Sequence, residues 1–156
     1  MKAATQVWLG LALLHRERGR DCDFTKTEIE ARIAGEPWAG GVEASTISAH
    51  ISGHCVGSGR PSPDRDRMLT RTGRGRYRLA RPGDPVHPGR LAGRTTPDRE
   101  DVPANLRYLL SWYEETFTGD SRGQAMNDLI VAMRQSGAWR GVNADDYVRS
   151  MREGWD

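Results

Sequence analysis

The sequence predicts a mainly α-helical fold with one small β-hairpin, in the α+β class. Three observations lead to this prediction. Apolar residues recur at three- to four-residue spacing in several segments, a capping pattern opens one of these segments, and residues 67–80 alternate around two glycines. Hydrophobic residues make up 37% of the chain and charged residues 28%, which is typical of a globular protein and not of a disordered one.

Two helices are predicted near the start of the chain. The first covers residues 4–17, where apolar side chains share one helical face. The second covers residues 26–34. Thr25 and Glu28 have the spacing of a capping box, and Gly35 follows the last apolar position, so both ends of this helix are marked in the sequence.

A third helix is predicted over residues 43–55. Ile47, Ile51 and Cys55 repeat at helical spacing and form its apolar face. The opposite face carries only small and polar side chains. Cys55 and Cys22 are the two cysteines of the chain, and we expect both to be reduced thiols because a single bridge is weakly indicated.

A β-hairpin is predicted from Arg67 to Ala80. Gly73 and Gly75 lie at its tip, and Tyr77 and Leu79 alternate with arginines in the second strand. The hairpin completes a first predicted domain, residues 1–82.

The remainder is predicted as a connector and a helical region. Residues 83–102 form a Pro/Gly/Arg-rich connector without regular structure. Residues 103–156 contain three apolar stripes at helical spacing, which begin at Leu106, Met126 and Tyr147. We expect this C-terminal region to offer a surface for a homodimer or for a protein partner.

Charge is distributed unevenly along the chain. The net charge is +2, yet residues 1–99 hold 17 basic and 11 acidic side chains, whereas residues 100–156 hold 6 and 10. Between residues 60 and 99 the chain has 11 arginines, no lysine and four aspartates. A basic stripe of this kind attracts polyanions.

Three short helices followed by a two-stranded hairpin resemble the winged helix-turn-helix superfamily over residues 4–80. The stretch TGRGRYRLARPGD, residues 72–84, is also similar to winged-helix modules of uncharacterised bacterial, actinobacterial-like proteins, some of them attached to restriction-type nucleases. The resemblance implies that the third helix enters the major groove of double-stranded DNA and that the hairpin, or wing, lies along the backbone or minor groove.

The same resemblance implies a set of DNA-binding residues. On the third helix the side chains expected to face base edges are Ser45, Thr46, Ser48, Ala49, His50 and Ser52. The wing contributes the arginines Arg71, Arg74, Arg76 and Arg78. The loop before the wing adds phosphate contacts from Arg60, Arg65 and Arg67.

The predicted recognition helix departs from the usual pattern because it contains no arginine, lysine, asparagine or glutamine. These are the side chains that read guanine or adenine with two hydrogen bonds. Hydroxyls and methyls remain, and they suit contact with the methyl group of thymine or of 5-methylcytosine. Reading of methylated DNA and ordinary sequence-selective or shape-driven binding are both open at this point.

No catalytic or cofactor site is predicted. His50 and His54 are four residues apart beside Cys55, a spacing that metals use, but packing at the helix end explains them better. The aspartate pairs lie among arginines or at a helix start, without the lysine of a metal-dependent nuclease. We therefore expect a non-catalytic protein without metal or cofactor.

The longest apolar run, Val7–Leu14, is too short to cross a bilayer, and no secretory pattern opens the chain. We expect a cytoplasmic, nucleoid-associated protein. Two alternatives from other classes remain: a protein-interaction adaptor, or antitoxin-like winged helix, that does not bind DNA, and a subunit that targets a separate nuclease.

Overall fold

The computed structural model describes residues 1–61 and 66–119 and confirms the predicted fold class: mainly α with a small antiparallel sheet. The helices predicted from Met126 and Tyr147 onward lie outside the described residues. Within the described residues, no helix has the length and apolar character needed to cross a membrane.

The α-helices and strands follow one another in the order helix, strand, helix, helix, strand, strand, helix. The helices are α1 (Ala3–Arg18), α2 (Lys26–Ala34), α3 (Ala44–Ala49) and α4 (Tyr108–Tyr113). The strands are β1 (Phe24–Thr25), β2 (Leu69–Gly73) and β3 (Arg76–Leu79). One turn of π-helix, His50–His54, continues α3, and another, Glu114–Thr118, continues α4. The predicted helix 43–55 is therefore a short α-helix whose last turn is widened.

The sheet has the order β1-β3-β2, and both pairings are antiparallel. Phe24 of β1 pairs with Tyr77 of β3, so the chain segment between α1 and α2 adds a third strand to the predicted hairpin. This strand has two residues, too few for the alternation that marks a strand in sequence. At the hairpin tip Gly75 has φ +70°, a conformation that favours glycine.

The capping box of α2 is confirmed. The Glu28 backbone N–H donates to Thr25 Oγ1 at 3.3 Å, and the Thr25 N–H donates to Glu28 Oε2 at 2.8 Å. The backbone N–H of Thr25, together with its hydroxyl and the Arg18 guanidinium, lowers the pKa of Glu28 to about 2. The start of α2 is thus fixed locally, as its sequence predicts.

α1 is the central helix of the core. Val7, Leu9 and Leu11 are all fully buried although they point in different directions around the helix, and α2, α3, α4 and β3 all pack against α1. A Cβ on Gly10 would lie 2.7 Å from Ile33 Cγ1, so this glycine allows α2 to approach closely. α1 is therefore buried on several sides, and the single apolar face predicted from the sequence is only one of them.

α4 packs against the same core. The Tyr113 hydroxyl donates to the Ala80 carbonyl at 2.5 Å, and its ring meets Trp8 edge to face at 5.8 Å. Burial raises the pKa of Tyr113 to about 12. Residues Met1–Thr118 form one compact unit, which includes the predicted connector and the first part of the predicted C-terminal region.

A buried arginine in the connector holds the end of the π-helical turn. The Arg90 side chain is fully buried, and its hydrogen bonds within the described residues all go to backbone carbonyls. Its five acceptors come from the helix end and from the loop that leads to β2: Gly53, His54, Gly59, Arg60 and Asp66. Because helix C-termini carry partial negative charge, the guanidinium is well placed against these carbonyls, of which that of Gly53 also accepts from the Val56 N–H at 3.2 Å.

A buried histidine joins α1 to the sheet. The Leu79 N–H donates to His15 Nε2 at 3.2 Å, and His15 Nδ1 lies 3.2 Å from the Gly19 carbonyl. Since Nε2 must accept, the single proton of the neutral ring is on Nδ1 and is donated to Gly19. Burial lowers the pKa of His15 from 6.5 to about 4, so the folded protein holds the neutral ring.

This histidine predicts an acid-sensitive contribution to stability. The contribution is fully present above the ordinary pKa of 6.5 and is lost as pH falls toward 4, because the unfolded chain binds a proton that the folded chain rejects. Between pH 7 and pH 5 we expect His15 to account for a loss of about 2 kcal/mol in the free energy of unfolding. The measurement is urea unfolding of the wild type and His15→Gln at both pH values. An equal loss in both proteins would contradict the assignment.

Removing Arg90 should destabilise the fold strongly. Arg90→Met removes the guanidinium from five carbonyls, of which only that of Gly53 has another donor, the Val56 N–H, within the described residues, and we expect the free energy of unfolding to fall by roughly 3 kcal/mol or more. Arg90→Lys should not restore stability, because an ammonium has only three donors. Urea unfolding at pH 7 tests both variants against Arg99→Met, which removes an exposed arginine of the same connector. Similar stability of Arg90→Met and Arg99→Met would show that the carbonyl cluster does not depend on Arg90.

Candidate nucleic-acid interface

The predicted base-facing side of α3 is accessible. Ile47 and Ile51 are buried in the core, whereas Ser45 and Thr46 are exposed. The remaining predicted base-facing side chains are half-buried: Ser48, Ala49, His50 and Ser52. The helix therefore presents a shallow face of hydroxyls and one methyl, across which a large partner can approach the backbone closely.

Two of these residues also make contacts within the protein. The Ser52 hydroxyl donates to the Ser48 carbonyl at 2.9 Å. His50 Nδ1 lies 3.5 Å from the Cys55 sulfur, and the rings of His50 and His54 are 4.9 Å apart. Among the described residues, neither Cys22 nor Cys55 forms a disulfide. Across residues 1–61 and 66–119, no group of three or more His, Cys, Asp or Glu side chains is arranged to hold a metal ion.

Two wing arginines have exposed side chains. Arg71 is exposed, donates to the Ser52 carbonyl at 3.0 Å and lies 5.5 Å over the Tyr77 ring. Arg74 is exposed at the hairpin tip between two glycines, and in the described part of the chain its guanidinium has no hydrogen-bond or ion-pair partner. The hydrogen bond from Arg71 fixes the base of the wing to the end of the helix.

The other two wing arginines are paired with carboxylates. Arg76 Nε lies 2.6 Å from Asp23 Oδ1, and hydrogen bonds from Thr72 and Arg76 lower the pKa of Asp23. The Arg78 guanidinium is 17% exposed and lies 2.6 Å from Asp84. Burial opposes ionisation of Asp84, but hydrogen bonds led by that from Arg78 lower its pKa overall. The structure thus neutralises half of the charge that the sequence assigns to the wing.

The loop before the wing divides in a similar way. Arg60 is exposed, whereas Arg65 lies outside the described residues. Arg67 is half-buried, and its Nε donates to the Gly93 carbonyl in the connector at 2.9 Å. Arg94 of the connector is paired in turn with buried Asp66 at 3.1 Å. Arg67 therefore makes a hydrogen bond within the protein. Of the two loop arginines that the structure describes, Arg60 is the one with an exposed side chain.

A cavity opens beside the N-terminal half of α3. It has a volume of about 620 Å³ and lies between α2, the loop 35–43 and α3. Small side chains make much of its wall, among them Ala31, Ala34 and Ala44. Ser45 and Ser48, which are predicted to face bases, also line it. The cavity is thus continuous with the exposed face of the helix.

Sequence reasoning missed three residues that shape this surface. Arg90 organises the helix end from the connector, and Asp23 and Asp84 hold Arg76 and Arg78. The partners of Arg90 and Asp23 are 24 to 53 residues away in the chain, so no local pattern marks them. Asp84 is six residues from Arg78, and the turn between them could have suggested the pair.

Comparison with known proteins gives one match. Residues 6–79 match a family model described as a domain of unknown function, DUF7669, a segment that runs from α1 to β3 and covers slightly less than half of the chain. Searches of curated proteins and of solved structures returned no match. The N-terminal part of this chain is thus similar to a family without an assigned function.

Proposed function

We propose that residues 1–82 are a winged helix-turn-helix that binds double-stranded DNA without catalysis. In this proposal α3 enters the major groove, and the hairpin β2–β3 is the wing that contacts the backbone. The observation that carries the proposal is the exposed small-residue face of α3, with Arg71 bonded to the Ser52 carbonyl at its end; Arg74 adds an exposed charge at the hairpin tip that has no ion-pair partner among the described residues. Location in the cytoplasm, in association with the nucleoid, is part of the same proposal.

The order of elements supports this proposal. Helix, strand, helix, helix and hairpin follow one another, and the strand after α1 pairs with the second strand of the hairpin. This arrangement is common to winged helices, and the hydrogen bond from Arg71 to the Ser52 carbonyl joins the wing to the end of the third helix. Winged helices also bind proteins, so the order of elements supports the winged-helix fold but does not distinguish DNA binding from protein binding. Support for DNA binding comes from the exposed surface charges.

The ion pairs reduce the number of arginines that we propose to contact DNA. Phosphates are contacted best by arginines that have no internal carboxylate, because a paired guanidinium must lose its partner first. Of the side chains named from the sequence, the most available in the described residues are Ser45, Thr46, Ser48, Ala49, Arg60, Arg71 and Arg74. Arg76 and Arg78 then act mainly by holding the shape of the wing.

The salt dependence of binding provides a sharp test of the role of Arg74. The logarithm of the affinity for duplex DNA should fall linearly with the logarithm of salt concentration, by about 0.9 per phosphate contact. Arg74→Ala should weaken binding to all sequences and reduce this slope by about 0.9. Fluorescence anisotropy with a random duplex pool at several salt concentrations measures both quantities.

The matched control removes an ion pair without changing net charge. Asp23→Asn combined with Arg76→Gln deletes both members of one pair, and we expect the salt slope to stay as in the wild type. A reduced slope in this double variant would mean that Arg76 contacts DNA. Failure of the wild type to bind any duplex at low salt would favour the protein-interaction adaptor instead.

A carboxylate on α3 should abolish binding. Ser48→Glu places a negative charge against the phosphates and bases, and we expect affinity to fall about 100-fold or more. Ser111→Glu makes the same change at an exposed position of α4 and should bind as the wild type does. Normal binding by Ser48→Glu, measured in the same anisotropy assay, would show that α3 is not the reading helix.

A further inference from the structure

We propose that the cavity between α2 and α3 receives a neutral, hydroxyl-bearing group attached to C5 of a pyrimidine and larger than a methyl group. Hydroxymethylcytosine and its glucosylated form carry such groups. This inference rests on the proposed DNA binding and concerns what kind of DNA the site prefers. Substituents at C5 project into the major groove, the groove that α3 would enter.

The position of the cavity supports this occupant. Ser45 and Ser48 belong both to the proposed base-facing side of α3 and to the cavity wall. The loop between α2 and α3, in which Gly40 and Gly41 have positive φ, separates the two helices at this point and leaves the space open. A group that projects from a base beneath α3 can therefore enter without movement of the fold.

The size of the cavity argues against a bare methyl group as the occupant. A water molecule takes roughly 30 Å³ of liquid volume, and a methyl group is of similar size. The cavity has about 620 Å³. A methyl group would leave most of it filled by solvent and would gain little contact with the walls. A larger substituent can use the apolar floor that Ile33, Val42 and Ile47 provide.

The polar groups of the wall fit a neutral substituent with hydroxyls. Thr27, Ser45 and Ser48 bring hydroxyl groups, and Glu30 brings a carboxylate whose contact with Lys26 is long, at 3.9 Å. Gln6 contributes a buried amide that donates to two carbonyls, one of them in the loop 35–43. None of the residues that line this described cavity is an arginine or lysine, so a phosphate or carboxylate occupant is disfavoured.

The direct test compares four pools of random duplexes that differ only in their cytosines: unmodified, 5-methyl, 5-hydroxymethyl and glucosylated 5-hydroxymethyl. Binding of the full chain is measured by anisotropy at one salt concentration. We expect the glucosylated pool to bind about tenfold more tightly than the unmodified pool, the hydroxymethyl pool to gain less, and the methylated pool to lie close to the unmodified one. Equal affinity for all four pools would overturn the inference and leave the proposed DNA binding intact.

Variants that fill the cavity connect the preference to its site. Ala31→Leu and Ala34→Leu enlarge exposed side chains of α2 that line the cavity, and we expect them to lose the preference while still binding unmodified DNA. Ala92→Leu, an exposed change in the connector, should keep the preference. A preference that survives in both filled variants would overturn the inference. Failure of the wild type to bind every pool would overturn the DNA-binding proposal itself, and this inference with it.

Discussion

The surface of this protein depends on one buried cation. Arg90 is fully buried and, within the described residues, its recorded partners are all backbone carbonyls. Burial of an unpaired charge normally costs several kcal/mol, so the guanidinium is stable only because five carbonyl dipoles converge on it. Those carbonyls belong to the end of the π-helical turn and to the loop that leads to β2, so Arg90 joins these two segments through one shared donor.

The helical framework was predictable from sequence because its signals are local. The capping box at Thr25 and Glu28 defines the start of α2, and glycines mark the hairpin tip. The widened turn His50–His54 and the short strand β1 were not predictable, since each depends on what packs against it. The same division applies to the candidate site. The sequence shows which residue types α3 and the wing carry. It does not show the ion pairs that decide which wing arginines lack a carboxylate partner.

Counting arginines therefore overstates the charge available to a polyanion. Four arginines alternate through the wing, but two of them serve as structural cross-links to Asp23 and Asp84. The available charge is concentrated at the tip and at the base of the hairpin, near the end of the helix. In the proposed function, these few charges would orient a duplex by contacts with particular phosphates more than they would attract it from a distance. The shallow face of α3 and its adjoining cavity then provide the surface on which discrimination can occur.

The sequence separation between Arg90 and its acceptors affects how the protein folds during synthesis. Its acceptors lie 24 to 37 residues earlier in the chain, so the end of the π-helical turn remains incomplete until the connector has left the ribosome. Tyr113 closes the core later still, through its bond to the carbonyl of Ala80. A nascent chain that ends with the hairpin already contains every proposed DNA contact, yet it lacks the two groups that hold them in register. The segment that follows the wing is thus the last part of the core to be synthesised.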